Sequence, residues 1–113
     1  MSEKVFFPSM IEKLPDVDIP FPGIEGKLFQ GQDMQAVFFT VPGPAEIPPH
    51  HHQAQWGVML DGEAELTVEG DVLLLRRGVS YFIPAGAVHS VRVITFMKAL
   101  DFFDEPNRYK SKP

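Results

Sequence analysis

Gly78-Val-Ser-Tyr-Phe-Ile-Pro84-Ala-Gly86-Ala-Val-His89-Ser-Val-Arg-Val93 alternates chain-turning residues with strand-forming ones at short intervals. Gly78 turns the chain, Val79 to Ile83 supplies the β-branched and aromatic residues of a strand, Pro84 and Gly86 make a corner, and Val88 to Val93 returns as the next strand. His89 emerges on that returning strand, facing inward. Short strands joined this tightly predict an all-β barrel rather than a helical domain.

The same rhythm extends upstream. Gln55 to Leu60 and Ala64 to Val68 flank Asp61-Gly62, a dipeptide that favours hairpin turns, and Val72 to Leu75 follows the turn Glu69-Gly70-Asp71. Earlier in the chain, Gly26 to Phe29 and Met34 to Val41 frame a turn at Gly31-Gln-Asp33 and read as a second hairpin. Pro42-Gly-Pro44 interrupts it, and Ala45 to Pro49 runs extended into His50-His51-His52. Downstream, Thr95 to Phe103 is the last strand. Between Phe7 and Gly23, prolines at 8, 15, 20 and 22 remove amide donors and fix φ, leaving room for no more than one helical turn at Ser9 to Leu14. The predicted organisation is an extended N-terminal arm over 1–25 that wraps the barrel or reaches a partner subunit, a barrel over 26–104, and a polar, frayed tail over 105–113.

With 113 residues the chain has the length for one core and not two. Ten Phe, nine Gly and eleven Pro suit strands and tight turns. A formal charge of −5, with no basic run longer than Arg76-Arg77, argues against nucleic acid and anionic membrane as partners and leaves small molecules or proteins. The absence of cysteine excludes disulfides, thiolate metal sites and cysteine nucleophiles together. No sustained apolar run begins or crosses the chain, so a cytoplasmic protein is expected. A Gly-x-Ser-x-Gly elbow, a phosphate-cradling loop and a dinucleotide fingerprint are all missing. Glu63 and Glu65 follow a turn and are expected at the surface, as are Arg92 and Lys98. Trp56, Met59, Phe38, Tyr81, Phe82 and Phe96 are expected to line the core or a pocket.

The four histidines carry the chemistry. Side chains alternate along a strand, so His50 and His52 share one face while His51 points the other way, and His89 can approach the pair from a neighbouring strand. Imidazole nitrogens in such a cluster suit a divalent ion: Zn, Fe, Cu, Ni or, with oxygen ligands, Mn.

Residues 43 to 93 resemble the cupin superfamily, in particular the small, single-domain, RmlC-like jelly rolls. The resemblance rests first on Gly78, Pro84, Gly86 and His89, which reproduce one family motif in full spacing and depart from it only at Val93, where the family carries Asn. The other family motif is His-x-His, then Glu, then Gly. Here Gln55 occupies the glutamate position, separated from Gly62 by six residues. The resemblance implies a jelly-roll (double-stranded β-helix) barrel with a metal held by His50, His52, Gln55 and His89. Between His52 and Gln55 stand only Gln53 and Ala54, one fewer than the family allows, which calls for a local bulge. His51 as the inward ligand, with His50 and His52 outside, is the other register. Gln55 replaces an anionic oxygen by a neutral one, which lowers affinity for Mn or Fe and leaves the ion's charge to attract an anionic substrate.

By analogy of fold, the resemblance implies an enzyme acting on a small oxygen-rich or aromatic molecule, of dioxygenase, isomerase or cyclase type. The alternatives are a non-catalytic barrel that senses a small molecule or metal, and a lapsed enzyme that has lost its ion. No catalytic residue is assigned. Small cupins pair, and Phe6, Phe7 and Phe21 on the arm offer apolar surface for a homodimer.

Overall fold

The structure, a computed structural model, describes residues 5–113. Residues 1–4, where the expected arm begins, lie outside the described residues. One helical turn, α1 (Ser9–Glu12), precedes nine strands: β1 (Glu25–Gln30), β2 (Gln35–Val41), β3 (Ala45–His50), β4 (Gln55–Asp61), β5 (Ala64–Val68), β6 (Asp71–Leu75), β7 (Ser80–Ile83), β8 (His89–Val93) and β9 (Met97–Phe103). They form two antiparallel sheets, ordered β1-β2-β9-β4-β7 and β3-β8-β5-β6. This is the expected all-β jelly roll, and every strand read from the sequence is present within two residues of its expected ends. Among the described residues, no helix is long and apolar enough to cross a membrane.

Turn chemistry sets the strand boundaries. Gly78 and Gly86 have φ of +86° and +80°, a region that costs a side-chain-bearing residue and costs glycine nothing. The strands then alternate faces. In the first sheet the rows Tyr81–Gly57–Asp101–Val37–Leu28 and Ile83–Gln55–Phe103–Gln35 point inward. In the second, Leu66–Val91–Ile47 and Val68–His89–His50 do so. Met59, Leu66, Ile83 and Val93, each at most 2% exposed, close the core between the sheets.

The arm lies along the barrel: Asp16 bridges Lys27, and Val17 and Ile19 pack over Gly26. Other expectations are corrected. Phe21 turns into the barrel cavity and Phe7 stacks edge-on against Phe38, so of the three arm phenylalanines only Phe6 stays open to solvent. Nor is the tail frayed. Ser111 bridges Val17, and the Tyr109 backbone N–H donates to Gln35 Oε1 while its carbonyl accepts from Gln35 Nε2, which also donates to Gln30 Oε1, so the buried Gln35 amide is satisfied at both ends. Trp56 and Phe82 face outward instead of lining the core. Lys98, expected at the surface, is buried; its ammonium donates to Thr40 Oγ1 and lies 4.0 Å from the centre of the Phe7 ring. Glu63 and Glu65 do lie near the surface, beside Arg76 and Arg92.

Candidate metal centre

The three clustered histidines reach one point by two routes. His89 opens β8 and stands directly opposite His50, the last residue of β3, after a register irregularity between Ile47 and His50. Their ring centres are 4.2 Å apart. His52 is not on a strand at all. Its place is fixed by the corner of the second motif, whose Gly86 N–H donates to the His52 carbonyl at 2.9 Å, and by Gln53 N–H, which donates to Glu105. The result places the His52 ring 4.8 Å from that of His89 and 5.4 Å from that of His50. The bulge falls before His50 rather than between His52 and Gln55.

One nitrogen from each of His50, His52 and His89 lies within 4.8 Å of the others, a group that could hold a metal ion. His51, the ligand of the other register, is exposed and outside this group. Each ring in the group commits its Nδ1 locally: to the carbonyl of Pro48 at 2.9 Å, of Gln53 at 2.7 Å and of Ala87 at 2.9 Å respectively. Nδ1 therefore carries the proton, and each Nε2 keeps its lone pair. His52 Nε2 is buried and has no hydrogen-bond partner. An orphaned buried acceptor is costly unless something fills it, and a cation fits the lone pairs of three convergent imidazoles.

Burial also keeps these rings neutral. It pushes the His52 pKa down to about 4 and lowers those of His50 and His89 in the same direction, with the positive charge of Arg108 adding to the effect at all three. Glu105 Oε2 lies 4.0 Å from His52 Nδ1, too far to replace the hydrogen bond to Gln53. Neutral imidazole is the form that binds a metal.

Gln55 lines the same cavity, as does a residue that the sequence reading passed over. Asp101 is wholly buried on β9. Gln55 Nε2 donates to its Oδ2 at 2.6 Å, and the Tyr81 hydroxyl lies 3.0 and 2.9 Å from its two oxygens. Burial pushes the Asp101 pKa up to about 7 against the pull of these two donors, and raises that of Tyr81 well above its ordinary value. The signal was available: Met97, Ala99, Asp101 and Phe103 share the inward face of one strand, and a carboxylate among apolar residues on a buried face calls for a reason. Beyond these polar groups the cavity encloses about 70 Å³ and is walled by Met59, Leu66, Ile83, Val91 and other apolar side chains.

Comparison with known proteins bears on the same residues. The sequence profile of the family described as "Cupin domain" matches residues 37–103, more than half of the chain. The mannose-1-phosphate guanylyltransferase of Escherichia coli (strain K12) is 45% identical over 43 residues, 38% of this chain; the chain spans only 9% of that relative's length. Among solved structures, an RmlC-like cupin from Shewanella frigidimarina NCIMB 400 has a TM-score of 0.75 at 24% identity, covering 95% of this chain and 94% of that one. A Bacillus subtilis oxalate decarboxylase studied for its Mn(II) centres has a TM-score of 0.69 at 19% identity, covering 86% of this chain and 29% of that one. Both structural likenesses are of fold. With the family profile spanning residues 37–103, from within β2 to the end of β9, the chain belongs to the cupin family.

Proposed function

We propose that this cupin is a metal-dependent enzyme acting on a small organic molecule, with chemistry of the dioxygenase, isomerase or cyclase type. The observation that carries the reading is the orphaned, buried Nε2 of His52 beside two other imidazoles whose Nδ1 atoms are already committed. In it, His50, His52 and His89 offer their Nε2 atoms and Gln55 its amide oxygen. The bound ion would supply Lewis-acid polarisation of a substrate oxygen, or a place for O₂, at the coordination positions the protein leaves open. The apolar wall of Met59, Ile83 and Val91 excludes water from that place and strengthens charge interactions inside it. So narrow a cavity suits a ligand of few heavy atoms.

A non-catalytic binding barrel is the second reading, favoured by the neutral Gln55 where a catalytic cupin motif carries a carboxylate. Mn(II), the ion of the decarboxylase centres, is a direct probe. Mn(II)-loaded protein should enhance water-proton relaxation through exchangeable water on the ion, and some member of a panel of small hydroxy and keto acids should lower that enhancement and be consumed. A member that displaces water yet is recovered unchanged would favour the binding barrel. No enhancement with Mn(II) present would contradict an open metal site.

A further inference from the structure

The four side chains proposed to hold the ion bring it no negative charge: three neutral imidazoles and one amide. One layer behind them is a carboxylate. Asp101 is 2% exposed, and the donors that hold it, Tyr81 Oη and Gln55 Nε2, are both neutral. An isolated carboxylate in such a place costs far more than its hydrogen bonds return unless a cation is near. The barrel is nonetheless built around it. Gly57 lies between Asp101 and Tyr81 in the sheet register, and a Cβ at Gly57 would collide with Asp101 Oδ2 and with the Tyr81 phenol. Only glycine leaves room for the pair.

We propose that Asp101 is the positioning residue of the metal centre: by accepting the N–H of Gln55 it turns the Gln55 carbonyl oxygen toward the histidines, and it supplies from behind that ligand the negative charge that the ligand set lacks. An ionised carboxylate can only accept hydrogen bonds, so it fixes which end of the amide is presented. The anion has been moved back by one amide group rather than lost. This inference rests on the metal-binding reading and deepens it.

Co(II) is the probe, with its dissociation constant taken from chelator competition and its visible absorption reporting the coordination; melting curves check that each variant folds. Asp101→Asn keeps the shape and the hydrogen bond but removes the charge, and should weaken Co(II) binding about tenfold or more. Combining it with Gln55→Glu moves the carboxylate into the ligand position, with the amide introduced at position 101 now donating the hydrogen bond, and should bind at least as tightly as wild type. That rescue separates charge from packing. Equal affinity in wild type and a folded Asp101→Asn overturns the inference and leaves the metal site standing. Should Asp101→Asn alone fail to fold, the double variant decides, and binding more than tenfold weaker than wild type overturns it. Wild type that takes up no Co(II) overturns the metal-binding reading and this inference together.

Discussion

At His50, His52 and His89 the nearest backbone sets the tautomer: carbonyls one or two residues away take the Nδ1 proton, so each ring presents Nε2 whichever way the rest of the barrel breathes. In the metal-free protein, burial then acts with opposite signs on these rings and on Asp101. The histidines have folded pKa values below the ordinary 6.5, so the folded state holds fewer protons than the unfolded chain; their contribution is present above about pH 6.5 and is lost as pH falls toward about 4, the value at His52. Asp101 is raised from 3.8 to about 7, so its contribution is present below 3.8 and is lost as pH rises through 7. The windows overlap, and the wild-type profile mixes them. Asp101→Asn isolates one. Measured by urea unfolding in the presence of a chelator, its stability relative to wild type should rise by a few kcal/mol between pH 4 and pH 8. A flat difference would mean that the carboxylate is not titrating in a buried state.

Among the elements, the first sheet carries a feature that alternation alone did not reveal. Phe82 on β7, Trp56 on β4, Phe102 on β9, Ala36 on β2 and Phe29 on β1 stand opposite one another in register, all on the outward face. The four aromatic members are exposed, Phe82 at 61% and Phe29 at 59%. Five strands at the usual spacing make this an uncharged band about 19 Å long. Bands of this kind mark interfaces. The arm offers less, since Phe7 is covered against Phe38 and Phe21 turns into the cavity. We propose that the chain is a homodimer joined through this band: a two-fold axis lays it upon itself, and a molecule of net charge −5 approaches its copy through a strip without charge. Equilibrium sedimentation at micromolar concentration should give a dimer for wild type and a monomer for Trp56→Glu. A wild-type monomer would contradict the proposal.

Across the whole molecule, what could be read from the sequence was whatever is coded by local spacing. Gly78, Pro84, Gly86 and His89 impose their geometry within a dozen residues, and β7 between them alternates exposed and buried residues. The pairing of His50 with His52 was also legible, although for a reason other than strand alternation, because His52 sits in a loop held by the Gly86 amide from the other motif. Contacts between distant strands were not legible. Nothing near Asp101 in sequence announces Tyr81, twenty residues away, or Gln55, forty-six away, and only the register across β7, β4 and β9 brings the three together. The anchoring of the tail is hidden for the same reason: its polar composition masks Tyr109, which Gln35 ties to the sheet from far upstream. The proposed binding of a divalent ion by the His50, His52 and His89 group is decided by elemental analysis of untagged protein after mild dialysis, wild type beside His89→Ala and His51→Ala. Near-stoichiometric metal in wild type and His51→Ala, lost in His89→Ala, is the expected result; metal lost with His51→Ala, retained with His89→Ala, or absent from wild type even after reconstitution would contradict it.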